Sequence, residues 1–404
     1  MKIGLLAYHS AANFGARLQL LSTFMYLKGQ GHQPVIINWV PEDLERFYSN
    51  MASSEQKKCL DDFSKHFWTE TEKCRTSEDV GKMIDKEGIE SVIIGSDAVA
   101  KINFPQIVFP CRQIIAYSRP TQDRVYPNPF WAEFLKYTSK TVPVAVMSAS
   151  CESSPYEKIE SAQRVEMDES IKQYKYLSVR DTWTKQMFQF ITGGRVNAPI
   201  TPDPVFAFNH NAASIIPTKE ELRKKFSLPE KYILLSFIRK TVDSGWISEF
   251  ERLAEEKGYT CISLPISYSN SVYETKHAIE LPLDPVDWYS LIANSDGYVG
   301  HNMHPVVITL TNGVPVFSFD NYGKTKMFGL ISDGSSSKVL HILKKAGLED
   351  YRVSCVGRRC NAPKPESVLE KLITFDREKT KLFTHSYYAE YQKMMDDILS
   401  SIQH

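Results

Sequence analysis

Residues 298–326 read YVGHNMHPVVITLTNGVPVFSFDNYGKTK, and the spacing of apolar residues in this stretch decides the fold class. A short apolar strand ends at Gly300. His304-Pro305 then opens a helix, because proline suits the first helical position, where its missing N–H would have no intrahelical partner. That places His304 at the N-cap, beside free backbone N–H groups and the positive end of the helix dipole. Val306, Val307, Leu310 and Thr311 continue the helix, and Asn312-Gly313 ends it. Residues 314–319 are β-branched and aromatic and read as a buried strand. Residues 320–326 read as a polar loop at its carboxyl end. In a doubly wound sheet His304 and Lys324 then share the edge where ligands bind. A histidine and a lysine at a helix N-terminus suit an anion such as a phosphate. The bland reading stands beside this one: α/β proteins often carry a histidine or lysine near a strand end with no role.

Working outward, the amino-terminal half repeats the pattern. Residues 2–8 are a continuous apolar strand of the kind covered on both faces. Residues 9–16, HSAANFGA, form a small polar loop, with Gly15 where backbone must come close to something. Residues 17–28 are a helix with Leu20, Leu21, Phe24 and Leu27 on one face. A loop at a helix N-terminus is a usual place for an anion or a polar ligand, though a plain strand-to-helix connection reads the same. Neither GxGxxG nor Walker spacing is present, so dinucleotide and P-loop sites are excluded. Strands at 91–94, 142–147 and 176–179 each run into a polar cluster: Gly95-Ser96-Asp97, Ser148-Ala149-Ser150 and Arg180-Asp181. Carboxyl ends of parallel strands gather on one edge, so Asn13, Gly15, Asp97, Ser148, Ser150 and Arg180 should converge there. Residues 104–130 read as a long ordered loop over that edge, or as an inserted strand pair. Residues 209–231 carry no strand signal, and a second α/β unit begins at 232. The expectation is an α/β protein with domains at 1–210 and 211–364, followed by a helical segment, 365–404, that packs across both.

Composition narrows the function classes. Lys plus Arg equals Asp plus Glu at 48 each, so there is no basic field to draw in nucleic acid. The seven cysteines are scattered, with no CxxC; reduced thiols are the default expectation, without a disulfide framework or zinc site. No His/Asp spacing suggests a metal. The start, MKIGLLAY, turns polar too soon for a signal peptide, and no run reaches the roughly 20 apolar residues of a membrane helix. A cytoplasmic protein is expected. A lipid-linked substrate and peripheral contact with the inner membrane face are compatible with that expectation.

Taken in order, YHSAANFGARLQ, GSDAV, SASC, SVRDTWT, DPVF and HNMHPVVITLTNGVPVFSFDNYGK resemble the polysaccharide pyruvyl transferase family, over roughly residues 2–326. The resemblance implies two Rossmann-like domains facing a cleft, GT-B-like, with the acceptor on the amino-terminal side and the donor on the other. It implies transfer of pyruvate from phosphoenolpyruvate, a co-substrate rather than a cofactor, onto two hydroxyls of a saccharide to form a ketal. A helix-opening Arg-x-His motif and a lysine after the next strand hold the donor in that family. The histidine falls on His304 and the lysine on Lys324, while the arginine position holds Asn302, which lacks the charge and the bidentate fork. Arg180 matches the arginine after the domain-one strand, and Asn13 and Gly15 match the first loop. His304 is the expected proton donor, since histidine serves as acid or base near neutral pH, and Arg180 is expected to act with it. The alternatives are a GT-B glycosyltransferase using a nucleotide sugar, or a member whose donor use is lost or altered through Asn302.

Overall fold

In the computed structural model residues 1–111, 114–326, 331–334, 336–356 and 360–403 are described, the side chains of 106–117 and 324–333 excepted. The first sheet has five strands in the order Gln33–Ile36, Lys2–Leu6, Ser91–Ile94, Val144–Ala149, Tyr174–Val179, all parallel. The second has six, in the order His277–Ala278, Thr260–Ser263, Tyr232–Ser236, Gly297–Gly300, Val316–Asp320, Arg352–Ser354, also parallel throughout. The central strands are apolar without alternation because both faces are covered; every residue of Val144–Ala149 and of Tyr232–Ser236 is buried. In each sheet the strand order reverses beside its first strand. There the chain leaves in opposite directions on the two sides, and a crevice opens at the carboxyl ends.

The two sheets are joined by more than the connecting chain. One apolar core runs through both halves, from Leu5 and Phe14 to Val307 and Ile398. The Gln56 amide grips the backbone of Leu283 in both directions, donating to its carbonyl at 3.0 Å and accepting from its N–H at 2.7 Å. The last helix, Arg377–Ile402, buries Tyr387, Tyr391, Met394 and Ile398, a helical stripe one side wide. That stripe lies on strands Val144–Ala149 and Tyr174–Val179 of the first sheet. From the same helix Thr384 donates to the carbonyl of Leu310 in the second half at 2.9 Å. Among the described residues, no helix is long and apolar enough to cross a membrane.

The structure departs from the sequence expectations at several points. The helix after Gly300 is Met303–Asn312, so Asn302 is its N-cap and makes no side-chain capping bond, while His304 and Pro305 lie inside the first turn. Proline fits there because none of the first four N–H groups has an intrahelical partner. The loop expected at 320–326 contains a short strand, Lys324–Lys326, paired antiparallel with Ile331–Asp333. Of the two readings of 104–130 the structure bears out the inserted strand pair, Gln106–Cys111 with Ile114–Ser118, followed by 3₁₀ turns. Cys355 and Cys360, five residues apart with Cα atoms at 4.5 Å, form a disulfide, where seven thiols were expected.

Ile398→Ala, which empties a fully buried site under the last helix, is expected to cost about 2–5 kcal/mol. Chemical denaturation reads this directly; an unchanged midpoint would show that the helix does not secure the sheets.

Candidate active site

The two crevices meet in one cavity of ≈ 260 Å³, lined from the first domain by the loops after Lys2–Leu6, Ser91–Ile94 and Val144–Ala149, and from the second by the start of helix Met303–Asn312, Tyr322 and Lys338. Its amino-terminal loop is held by Asn13, whose side chain accepts from the Ala16 N–H and caps helix Phe14–Gly29. Gly15 follows, and the imidazole of His304 is packed against it: a Cβ at Gly15 would come within 2.0 Å of His304 Nδ1. Here the glycine is required by close approach across the domains.

Behind His304 lies a buried carboxylate. Asp203 Oδ2 stands 3.9 Å from His304 Nε2. The same oxygen accepts from Arg180 at 2.5 Å and from Gln19 at 2.6 Å, while Oδ1 accepts from the Val205 N–H at 3.0 Å. Burial pushes the Asp203 carboxyl up, but the Arg180 guanidinium outweighs it, with His304 adding to the effect, so it stays below the usual carboxylate range. Burial lowers the pKa of His304, against the pull of Asp203 and Asp97. Its Nε2 is buried without a hydrogen-bond partner. The outcome is a neutral imidazole held beside an ionised carboxylate, an arrangement suited to accepting a proton and passing it on.

The other wall carries charge that the sequence did not reveal. Lys338 opens helix Lys338–Lys345 and is almost fully buried. Its Nζ lies 3.4 Å from Glu152 Oε1 and 4.8 Å from the centroid of the Tyr322 ring. Glu152 also accepts from Lys101. Burial pushes the Glu152 carboxyl up; the ammonium groups of Lys338 and Lys101, with Arg124, bring it far below the usual range. Lys338 is placed by its helix cap: Asp320 accepts from Ser337 at 2.5 Å, and Ser337 in turn accepts from the Leu340 N–H at 3.0 Å. Around the cavity, Asp97 and Glu152 hold left-handed backbone at φ 80° and 50°, strain of a kind that clusters at functional sites.

Not every expected residue reaches the cavity. Asn13, Gly15, Asp97, Asn302 and His304 line it. Arg180 does not; its guanidinium is spent on Asp203 and, at 3.5 Å, Asp97, so it stands one layer behind His304. Ser148 and Ser150 are fully buried. Ser148 donates to the carbonyls of Thr201 and Pro202, and Ser150 to Asp181, so both tie loops together and face no ligand. The Lys324 side chain lies outside the described residues. His301 is buried, with Nδ1 accepting from the Ile238 N–H at 3.1 Å and Nε2 2.6 Å from Thr241 Oγ1. Its partners fix it as a neutral strut. Lys338, Glu152 and Arg124 escaped the sequence reading. Glu152 follows the SASC cluster directly, the one signal that could have drawn notice; Lys338 has none.

A family model described as polysaccharide pyruvyl transferase matches residues 13–322. No curated protein matches the sequence. Among solved structures, UDP-N-acetylglucosamine 2-epimerase from Rickettsia bellii is similar over 100% of this chain and 97% of its own, at 12% identity and a TM-score of 0.53. Arabidopsis thaliana UGT89C1 complexed with UDP-L-rhamnose is similar over 99% of each chain, at 8% identity and a TM-score of 0.52. At such identities the likeness concerns architecture alone: two Rossmann-like domains facing a cleft, GT-B-like.

Gly15→Ala is expected to push the His304 ring aside into the cavity, so that the displaced ring obstructs ligand binding there, while the far-ultraviolet dichroism stays native; unaltered binding would remove the close contact from the argument. A second expectation concerns pH. Burial first, and Arg239 second, push His301 down to about 3, below the unfolded value of about 6.5. The unfolded chain therefore takes up its proton first. The His301 contribution is complete above about pH 6.5 and drains away as pH falls toward the folded value. The loss of denaturation midpoint between pH 7.5 and 5 is expected to be smaller in His301→Gln than in the wild type. An equal loss in both would show that His301 carries none of it.

Proposed function

The chain belongs to the polysaccharide pyruvyl transferase family, and from that premise we propose that its interdomain cleft transfers pyruvate from phosphoenolpyruvate to two hydroxyls of a saccharide. The observation that carries the reading is the pairing of His304, buried with its Nε2 unpartnered, with a cleft wall bearing Lys338 and Arg124. Phosphoenolpyruvate carries its carboxylate and its phosphate ester on the same carbon, and it asks for two fixed positive groups and a proton shuttle. Asn302, where the family usually has arginine, leaves its helix N-cap without a side-chain bond, so its amide is available to the ligand. Lys338 and Arg124 supply the charge that Asn302 lacks, and Lys324 remains a candidate for the same task.

In this reading the first acceptor hydroxyl attacks the donor's central carbon. Neutral His304 takes its proton and delivers it to the methylene carbon, which becomes the methyl group. Asp203 stabilises the imidazolium formed in between, and Arg180 keeps Asp203 ionised. Positive charge developing at the central carbon is met by Glu152. The second hydroxyl then displaces phosphate from the same carbon and closes the ketal, and its proton departs with the phosphate. Two carbon–oxygen bonds to the sugar form, and one to phosphate breaks. The acceptor is a saccharide, which a lipid anchor would present at the membrane face.

Titration calorimetry with phosphoenolpyruvate tests the proposal. The wild type is expected to bind. Lys338→Met is expected to weaken binding by about tenfold or more, the scale of one charge-assisted contact. His304→Gln is expected to retain binding but to lose transfer, read as phosphate release with an acceptor. Stabilisation by a nucleoside diphosphate, together with no response to phosphoenolpyruvate, would overturn the reading in favour of a nucleotide-sugar enzyme.

A further inference from the structure

A second cavity, of ≈ 640 Å³, opens beside the cleft and lies entirely within the first domain; Tyr48 lines both. Its size falls within the span of about 300–1,000 Å³ usual for small-ligand pockets. One wall is Arg17, from the ARLQ end of the first motif, a residue the transfer chemistry does not use. Arg17 is 3% exposed. One guanidinium nitrogen donates to Ser64 Oγ, and its Nε has no partner. Among the described residues no carboxylate comes within ion-pair reach of it. Asp61 and Glu70 act on it only through their field, which opposes the burial that lowers its pKa to about 10. The Glu70 oxygens are already taken, by Trp68 Nε1 at 2.8 Å and Asn38 Nδ2 at 3.2 Å. A guanidinium keeps its charge under burial, and buried charges are ordinarily paired. This one faces a cavity instead.

We propose that this cavity is a subsite for an acidic sugar residue, whose carboxylate or phosphate pairs with Arg17 while its ring lies against Tyr48 and Trp68. The anion would supply the bidentate partner that the chain withholds, and aromatic rings offer apolar faces to a sugar's C–H surface. Because Tyr48 borders both cavities, an acidic residue seated here would belong to the same saccharide as the hydroxyls in the cleft. In that respect the inference rests on the proposed saccharide acceptor; the anion site itself does not depend on the donor.

The test is ligand-observed NMR titration of the full chain with sodium glucuronate, glucose 6-phosphate and glucose, using wild type, Arg17→Met and Asp61→Asn. Arg17→Met keeps the length of the stem without the charge. The wild type is expected to bind at least one acidic sugar about tenfold more tightly than glucose, and the tighter of the two identifies the anion. Arg17→Met is expected to lose that preference, and Asp61→Asn to strengthen it several-fold, since an opposing charge on the cavity rim is removed. Equal binding of neutral and acidic sugars by the wild type, or an undiminished preference in Arg17→Met, would overturn the proposal. If Arg17→Met does not fold, unchanged or weaker binding by Asp61→Asn would do so. Phosphoenolpyruvate titrated into the same samples keeps the two readings apart. Acidic-sugar binding without phosphoenolpyruvate binding would remove the donor and leave this subsite standing.

Discussion

The carboxylate of Asp203 is the point at which the two domains settle their charges. It accepts from Arg180 and Gln19 of the first domain and faces His304 of the second across 3.9 Å. All are buried, so each charge is tolerated only because another offsets it. Removing one partner of a buried pair typically costs about 3–5 kcal/mol, since the survivor remains uncompensated. The geometry of the cleft follows from this. Arg180 keeps Asp203 ionised, Asp203 sets the field on His304, and Gly15 makes room for the ring.

A second balance is struck on the opposite wall. Glu152 and Lys338 come from different domains and lie 3.4 Å apart, with Lys101 on the far side of Glu152. Two ammonium groups share one carboxylate, and Arg124 adds a third positive charge within its field. Arg124 is itself matched by the buried carboxylate of Asp123 at 3.4 Å, and Asp97 lines the same cavity. Under the proposed function, the anionic groups of the donor would meet Lys338 and Arg124 on this wall.

Apolar packing holds these balances in register. The core is continuous between the halves, and the last helix lies on the first sheet while bonding to the second domain's helix through Thr384. Tyr387 packs edge-on against Phe206, their centroids 4.8 Å apart, and Tyr388 stacks on His210. Both tyrosines are therefore parts of the seam rather than platforms for a sugar. Polar contacts across the cleft tolerate little displacement, and a shared core keeps displacement small.

The chain's local periodicity was enough to establish an α/β protein, most of its strands, the carboxyl-edge clusters and the ordered motif set of the family. Apolar runs and caps are written within a few residues of where they act, as with Asp181 ahead of Thr182–Ile191. It also brought Asn13, Gly15 and Asp97 to the edge of one sheet and Asn302 and His304 to the edge of the other, because strand ends in a parallel sheet share an edge; the packing of the domains joins the two edges in one cavity. What it could not decide was which way a side chain at that edge turns. Ser148 and Ser150 read like ligand-binding residues and instead secure loops, and Arg180 turned inward to Asp203. Lys338 and Glu152, separated by 186 positions, carry no local mark of their meeting. Only the tertiary structure decided that contact, because it depends on two domains packing face to face, and no pattern of one or two helical turns encodes the distance between them.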